Sequence, residues 1–264
     1  MVITGIGARC AAGTDTPSLW ARMMSGEPSI GQIEIEGLGT LAVGRAEDPD
    51  AEGAFGRKEA RRMDRVSQFA AMAAAEAIEM AGDLGLAPER IGSAIGCCHG
   101  GMATLESAME TVRSRGADRI SPLAIPLLLT NAPVATTARI HGLRGPALSP
   151  TTACASGSDA IGQAADAIVA GRADAMLAGG AEAPLVAMVL AGYRRLGALS
   201  PSSGPTTSRP FDTTRDGFVI AEGAGIVVLE EREHAIARGA PVLAELAGYG
   251  ISCDAAHILS LIHI

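Results

Sequence analysis

Apolar and polar positions form short blocks along the chain that predict strands and helices in alternation. Apolar runs bounded by glycine or polar residues predict strands at 2–6, 91–96, 175–177, 225–229 and 242–246. Apolar residues at helical spacing predict helices at 15–26, 58–81, 102–115, 122–140, 159–170 and 231–238. Because strand and helix segments alternate, the sequence predicts an α/β fold.

Glycines, prolines and acidic residues mark the breaks between these elements. The long helix at 58–81 ends at Gly82, since glycine readily takes the left-handed conformation that closes a helix. Pro126 and Pro133 predict that the apolar helix containing them is kinked or segmented. Residues 31–57 are rich in Gly, Asp, Glu and Pro, which predicts an irregular excursion.

Composition and charge narrow the classes of function. A chain of 264 residues is long enough to bury a sizeable core, and its net charge of −8 argues against a broad nucleic-acid or anionic-membrane surface. No apolar run approaches the length that spans a bilayer, and the start has no secretory leader pattern, so we expect a cytoplasmic protein without a membrane partner. Five cysteines without a CxxC pair predict reduced thiols.

The most informative segment is Ser-Pro-Thr-Thr-Ala-Cys-Ala-Ser-Gly-Ser at 149–158, in which Cys154 precedes a predicted helix. The apolar face of that helix is predicted from side chains at helical spacing, namely Ile161, Ala164, Ala165, Ile168 and Val169. Unpaired N–H groups and the positive end of a buried helix favour a thiolate. The backbone N–H of Cys154 is placed to donate to an oxyanion, so the sequence predicts a nucleophile. The alternative is a cysteine that acts as a small buried hydrophobic residue.

Cys97, Cys98 and His99 form a second group of side chains with metal-binding chemistry. A zinc site would need more ligands at suitable spacing, so we expect no metal here. The glycines near the start do not form a phosphate-binding loop either, because Gly5-Ile6-Gly7 lacks the third glycine of the dinucleotide fingerprint.

Eight short motifs are spread along the chain. They are Val-Ile-Thr-Gly-Ile-Gly at 2–7, Arg-Lys-Glu-Ala-Arg-Arg-Met-Asp at 57–64, Gly-Leu-Arg-Gly-Pro at 142–146, Thr-Ala-Cys-Ala-Ser-Gly at 152–157, Ala-Gly-Gly-Ala-Glu at 178–182, Ser-Arg-Pro-Phe-Asp at 208–212, Arg-Asp-Gly-Phe-Val at 215–219 and Glu-Gly-Ala-Gly at 222–225. In order and spacing the set resembles β-ketoacyl-acyl carrier protein synthases, most closely the elongating, synthase II-like condensing enzymes of type II fatty-acid and polyketide synthesis.

The resemblance implies a thiolase-like fold, of which this chain would supply the N-terminal half and the start of the connection to the C-terminal half. It also implies a homodimer, or a heterodimer with a related subunit. Acyl carrier protein would be the partner, and its phosphopantetheine would bring the substrates without any bound cofactor. Cys154 would take an acyl group from this carrier, and malonyl-acyl carrier protein would then lose CO2 and attack the thioester in a Claisen condensation.

The resemblance assigns roles to further side chains. Leu105 and Tyr193 match positions that line or gate the acyl pocket, with ordinary core packing as the alternative; relatives usually carry Phe at the second position. Basic residues at the start of the long helix match those that dock acidic carrier proteins, which implies docking by Lys58, Arg61 and Arg62. An ordinary solvated helix face is the alternative for these three.

We expect residues 1–258 to form a truncated β-ketoacyl synthase N-terminal domain and residues 259–264 to be a non-native tail. In the family, two histidines and a lysine of the second half support decarboxylation, and His257 is not one of these histidines. The chain as given would therefore not condense acyl groups.

Two other functions stay open. The first is a non-catalytic partner subunit similar to chain-length factors, and the second is a coenzyme A-dependent thiolase or starter synthase. The thiol of Cys154 favours the condensing enzyme over the first. The Arg-Pro-Phe-Asp and Arg-Asp-Gly-Phe motifs favour it over the second.

Overall fold

The computed structural model describes residues 1–253 and 255. Its strands are β1 Val2–Cys10, β2 Gly31–Ile35, β3 Gly39–Gly44, β4 Ile91–Gly96, β5 Ala147–Leu148, β6 Ala175–Glu182, β7 Ile220–Ala221, β8 Gly223–Glu230 and β9 Ala244–Glu245. Its helices are α1 Thr16–Ser25, α2 Ala51–Phe55, α3 Arg57–Ala60, α4 Arg65–Ala81, α5 Met102–Arg115, α6 Ala124–Leu128, α7 Ala132–His141, α8 Ser156–Val169, α9 Ala187–Arg195 and α10 Arg232–Ala237. The predicted α/β class is confirmed. Within the described residues, no helix combines the length and the apolar character needed to cross a membrane.

A six-stranded mixed sheet forms the centre of the fold. Its strand order is β5-β4-β6-β8-β1-β9. Strand β4 is parallel to β5 and β6, whereas β6, β8, β1 and β9 are antiparallel to one another in turn. Because β4 and β6 are parallel neighbours with Gly96 opposite Gly180, their carboxyl ends meet at one edge of the sheet. That edge is where loops bring distant side chains together.

Helices cover both faces of the central sheet. On one face α4 packs over β1, β6 and β8 with α7 beside it over β4, and on the other face α8 packs over β4 and β6. The buried surface of α4 is mostly alanine, at positions 70, 71, 73, 74, 77 and 81. Such small side chains let the helix approach the sheet closely. A Cβ added to Gly7 of β1 would lie only 2.0 Å from the carbonyl oxygen of Ala73, so only glycine fits there.

A smaller sheet contains β2, β3 and β7, in that order. Strands β2 and β3 form an antiparallel hairpin, and β7 pairs parallel to β3. Leu41, Val43 and Ile220 of this sheet pack with Val189 and Leu190 of α9 in a separate hydrophobic cluster. A single residue separates β7 from β8, so this cluster is fixed to the central sheet.

The predicted irregular excursion at 31–57 is wrong, because this stretch contains β2, β3 and α2. In β2 the exposed residues alternate with half-buried Ile33 and Ile35, which is the period of a strand with one buried face. Two of the glycines that suggested irregular structure, Gly37 and Gly39, lie at the hairpin turn and take positive φ.

The predicted single helix at 58–81 is also wrong, because it is divided into α3 and α4. Asp64 is the N-cap of α4, and its carboxylate accepts from the Val66 N–H at 3.2 Å. The same carboxylate accepts from the Thr104 N–H at 3.0 Å. The N-cap has extended rather than helical dihedral angles, so α4 begins only at Arg65.

The apolar helix at 122–140 is segmented into α6 and α7, as its prolines predict. On α8 the predicted apolar face is wrong at Val169, which is 75% exposed. The buried face of α8 instead includes Asp159, whose carboxylate accepts from the Tyr249 hydroxyl at 2.9 Å. The alanines at 160, 164 and 167 complete this face.

All five predicted strands occur, although β1 extends to Cys10, β6 extends to Glu182 and β9 is shorter than predicted. Strand β5 and helix α9 have no counterpart among the predicted elements. His257, the domain boundary at 258 and the tail at 259–264 lie outside the described residues, so these stay predictions.

The buried carboxylate of Glu230 connects β8 to α10 and to the end of α4. Arg238 donates to it from Nε at 2.8 Å and from Nη2 at 2.5 Å, Thr4 donates from its hydroxyl, and His234 Nδ1 lies 3.0 Å away. Arg238 Nη1 also donates to the Ala81 carbonyl oxygen at 2.9 Å. Burial alone raises the pKa of Glu230, but the hydrogen bonds from Arg238 and Thr4 outweigh burial and lower that pKa below its usual value.

Arg238→Gln is expected to reduce the free energy of unfolding by about 3–5 kcal/mol at neutral pH, because it leaves a charged Glu230 buried without its cation. The folded pKa of Glu230 is lowered, so its stabilisation is present above the unfolded carboxyl pKa of about 4.3 and is lost as the pH falls through the folded value. The free energy of unfolding of the parent chain and of Arg238→Gln is measured by urea unfolding with circular dichroism. The difference between the two free energies should shrink below about pH 4.

The matched control is Arg144→Gln, which removes an exposed guanidinium 3.3 Å from Glu89. An exposed pair of this kind contributes at most about 1 kcal/mol. Equal losses in the two variants at every pH would contradict the role assigned to Glu230.

Candidate active site

Cys154 lies in a turn of 3-10 helix, Ala153–Ala155, that leads into the first residue of α8. Ala153 has a φ of 53°, a left-handed conformation that is unfavourable for a residue with a Cβ. Ser156 holds this turn: its hydroxyl accepts from the Thr152 N–H at 2.8 Å and donates to the Ala153 carbonyl oxygen at 2.6 Å. The predicted position of Cys154 before a buried helix is confirmed. Its side chain is exposed, so it is not a small buried core residue.

The first turn of α8 is pressed against the ends of β4 and β6. A Cβ added to Gly96 of β4 would lie 2.1 Å from the Ser156 carbonyl oxygen, so only glycine allows this approach. On the neighbouring strand, Gly180 lies against Gly157 of the same turn. This contact between backbones fixes Cys154 at the edge of the sheet where β4 and β6 end.

A cavity of about 560 Å³ opens beside the thiol. The residues that line it together with Cys154 include Cys98, His99, Glu182 and Tyr193. A cavity of this volume is in the range of sites that bind small molecules. The edge of the sheet therefore combines a nucleophilic side chain with space for a substrate.

The loop after β4 is held by the carboxylate of Glu182 at the end of β6. Its Oε1 accepts from the backbone N–H groups of Cys98 and, at 3.3 Å, of His99. Its Oε2 lies 3.0 Å from His99 Nδ1, and His99 Nε2 lies 3.4 Å from the Tyr193 hydroxyl oxygen. Cys98, His99 and Glu182 each offer one atom that could bind a metal, and these atoms lie within 4.8 Å of one another. Sequence reasoning missed Glu182 as a site residue, although it ends the 178–182 motif.

The thiols near the cavity differ in acidity and exposure. Burial raises the pKa of Cys97 to about 12, and the charge of Glu182 adds to this effect. Burial, followed by the charge of Glu182, also raises the pKa of half-buried Cys98. Cys154 is the exposed thiol of these three.

The two predicted acyl-pocket residues pack in one hydrophobic cluster but line different cavities. Leu105 and Tyr193 both contact the cluster that contains Phe218. Tyr193 lines the cavity beside Cys154, and its ring meets that of Phe218 at a centroid distance of 5.5 Å. Leu105 lines a separate apolar cavity of about 260 Å³ between α5 and α6. The structure therefore brings Tyr193, and not Leu105, to the cavity of the thiol.

The three predicted docking residues lie at the surface. Lys58 is on α3, and Arg61 and Arg62 are in the turn between α3 and α4. Their neighbour Arg65 differs from them, because its guanidinium forms an ion pair with the buried carboxylate of Glu222 at 2.7 Å. Lys58, Arg61 and Arg62 thus form an exposed basic patch, while Arg65 stabilises the fold.

Sequence comparison places the chain among proteins of one family. The family model described as "Beta-ketoacyl synthase, N-terminal domain" matches residues 1–235. The chain is 40% identical to nodulation protein E of Rhizobium sp. (strain N33) over an alignment of 269 residues, which covers 98% of this chain and 65% of that protein. It is 40% identical to 3-oxoacyl-[acyl-carrier-protein] synthase 2 of Staphylococcus aureus (strain COL) over 265 residues, with 98% and 64% covered. The chain thus spans just under two thirds of the length of these relatives.

Solved structures share the fold. One is a type II PKS acyl-carrier protein in complex with its ketosynthase bound to the hexaketide (AntDE:AntF), with a TM-score of 0.83 and 31% identity over 97% of this chain and 64% of that chain. Another is the ishigamide ketosynthase/chain length factor, with a TM-score of 0.85 and 32% identity over 97% of this chain and 64% of that chain. Ketosynthases have a thiolase-like fold, so the predicted fold is confirmed.

Iodoacetamide is expected to alkylate Cys154 first, then Cys98, and Cys97 last. The thiolate is the reacting species, so a buried Cys97 with a pKa of about 12 should react at least about a hundredfold more slowly than Cys154 near pH 8. Peptide mass spectrometry of samples quenched at intervals measures the three rates. In urea the three rates should converge, and a native Cys97 that reacts as fast as Cys154 would contradict the described packing.

Proposed function

Because the chain belongs to the β-ketoacyl synthase family, we propose that Cys154 accepts an acyl group from acyl carrier protein. The single observation that carries this proposal is the exposed thiol on a strained turn beside a cavity of about 560 Å³. The thiolate attacks the carbonyl carbon of the carrier thioester, and the C–S bond to phosphopantetheine breaks. The phosphopantetheine thiolate leaves and takes up a proton, and the acyl group stays on Cys154 as a thioester.

Stabilisation of the oxyanion is the main demand of this step. Negative charge develops on the carbonyl oxygen when the tetrahedral intermediate forms, and a fixed N–H donor lowers that barrier. We assign this role to the backbone N–H of Cys154, in the turn that Ser156 holds from both sides. The N–H donor and the attacking thiol then belong to one residue, so the turn that fixes the position of one also fixes the position of the other.

The condensation itself is proposed for the whole protein, since this chain spans just under two thirds of the length of its relatives. Malonyl-acyl carrier protein loses CO2, and the resulting carbanion attacks the carbonyl carbon of the acyl-Cys154 thioester. The thiolate of Cys154 leaves, and β-ketoacyl-acyl carrier protein forms. Both substrates arrive as thioesters, which are already activated, so the proposal requires no bound cofactor.

We also propose that a second subunit covers the surface around α5 and α6. Large apolar side chains are exposed there, namely Met109, Val112, Ile120, Leu123, Ile125 and Leu129. Exposed apolar patches rimmed by polar residues mark protein–protein surfaces. A similar structure is named as a ketosynthase/chain length factor, so the second subunit is either a copy of this chain or a related protein.

Incubation of the chain with an acyl-acyl carrier protein is expected to add one acyl group to the peptide that contains Cys154. Mass spectrometry of the intact chain and of its peptides measures this transfer. Cys154→Ala should abolish the label, because it removes the attacking sulfur. Cys253→Ala removes another exposed thiol and should leave the label unchanged.

Three outcomes would contradict the assignment. A label that persists in Cys154→Ala means that another group accepts the acyl chain. A label obtained from acyl-coenzyme A but not from the carrier protein favours a coenzyme A-dependent enzyme. If the whole protein never acquires a label from either donor, a non-catalytic subunit similar to a chain-length factor is favoured.

We propose that Lys58, Arg61 and Arg62 dock the carrier protein. All three are exposed and carry positive charge in a chain of net charge −8, so they offer a local complement to an acidic partner. Rim charges of this kind chiefly affect the rate of association, and their effect is screened by salt.

The triple variant Lys58→Glu/Arg61→Glu/Arg62→Glu is expected to slow acyl transfer from acyl carrier protein by about tenfold at low salt, with a smaller effect at high salt. Transfer from an acyl-pantetheine, which lacks the protein, should not change. The matched control is Arg232→Glu, which reverses an exposed charge on α10. Equal loss with both donors, or the same loss in the control, would contradict docking by this patch.

A further inference from the structure

Cys98, His99 and Glu182 form a cluster that the proposed acyl transfer does not use. Cys98 and His99 lie in the loop after β4, and Glu182 ends the neighbouring strand β6. One potential ligand atom from each residue lies within 4.8 Å of the other two, and all three side chains are partly buried. They line the same cavity as Cys154, so an ion could reach them from solvent.

The distance between the nitrogen and oxygen ligand atoms of this cluster is close to that of a tetrahedral metal site. Zinc binds nitrogen and oxygen at about 2.0–2.2 Å, so two such ligands at a tetrahedral angle lie roughly 3.4 Å apart. His99 Nδ1 and Glu182 Oε2 are 3.0 Å apart, within a few tenths of an ångström of that edge. The third ligand atom, the sulfur of Cys98, lies within 4.8 Å of both.

The ligands are already oriented by neighbours, and Glu182 Oε2 and His99 Nδ1 face each other across a 3.0 Å hydrogen bond that an ion would replace. Oε1 of Glu182 accepts from the Cys98 and His99 backbone N–H groups, so Oε2 is the oxygen that faces His99. Nε2 of His99 lies 3.4 Å from the Tyr193 hydroxyl oxygen, so Nδ1 is the nitrogen that faces Glu182. Metal-binding histidines and carboxylates have outer partners of this kind, and these partners fix the ligand orientation.

The charge of the cluster also calls for a cation. Among the residues that the structure describes, no lysine or arginine forms an ion pair with Glu182, whose salt-bridge partner is His99. A divalent ion would balance the charge of this carboxylate.

We propose that Cys98, His99 and Glu182 bind one divalent ion of the zinc class. Thiolate and imidazole ligands select zinc and similar metals over magnesium and calcium, which prefer oxygen ligands alone. Three protein ligands leave a fourth position for water or another ligand. The ligand that sequence spacing did not supply is Glu182, which the pairing of β4 with β6 brings to the Cys98–His99 loop.

Cobalt(II) is the probe that tests this site, because its absorbance reports thiolate coordination and tetrahedral geometry. The untagged, reduced full chain is titrated with Co2+, and Zn2+ is then added in competition. We expect one ion per chain with a thiolate charge-transfer band, displaced by Zn2+ and not by Mg2+. Cys98→Ser should remove the charge-transfer band, and His99→Gln should raise the dissociation constant at least about tenfold.

Two neighbouring thiols provide matched controls. Cys97→Ser alters the adjacent buried thiol, and Cys154→Ser removes the proposed acyl acceptor from the same cavity; both should keep the band and the stoichiometry. Circular dichroism checks that each variant folds. A third ligand variant, Glu182→Gln, removes the carboxylate but could disrupt the loop that this carboxylate holds. In that case the test rests on Cys98→Ser, which is the most conservative change. Absence of a stoichiometric band in the parent chain, or a band unchanged in Cys98→Ser and His99→Gln, would overturn the proposal. Cys154→Ser removes the proposed acyl acceptor but none of the three metal ligands. A failure to bind cobalt therefore does not contradict the proposed acyl transfer.

Discussion

The packing of the first turn of α8 against the ends of β4 and β6 is the constraint on which the whole site depends. Gly96 allows the carbonyl of Ser156 to sit directly on β4, and Gly180 meets Gly157 on β6. With backbone against backbone, the helix start cannot shift without moving the sheet. The strain at Ala153 is therefore maintained by surrounding contacts, and the thiol of Cys154 is held at a fixed position beside the cavity.

Glu182 is the second determinant of the site, and it acts through the loop that follows β4. One carboxylate organises two consecutive backbone N–H groups and one imidazole. Through His99 the arrangement extends to Tyr193, so Glu182, His99 and Tyr193 form a connected polar part of the cavity lining. This combination of a fixed thiol and an ordered polar group results from two adjacent strand ends of one parallel pair.

The parts of the fold that could be predicted from sequence are those determined by neighbours along the chain. The five predicted strands, the helix at 102–115 and the turn before α8 depend on local periodicity and glycine, and they occur in the structure at or near the predicted positions. The break between α3 and α4 could not be predicted from periodicity, because the carboxylate of Asp64 is held partly by Thr104. The meeting of Cys98 with Glu182 joins residues 84 positions apart, and only the pairing of β4 with β6 brings them together. Leu105 and Tyr193 line different cavities, and this too could not be predicted from sequence, because it depends on how distant elements pack.

The alanine surface of α4 has a consequence for how this protein can diverge. A larger residue at a buried position such as Ala73 or Ala77 would lift the helix from β1, and Asp64 at its start and Arg65 beside it would move with it. Helix α3 and the turn after it, which carry Lys58, Arg61 and Arg62, precede that start. A change of side-chain volume in the core layer is thus geometrically tied to the position of this exposed basic patch.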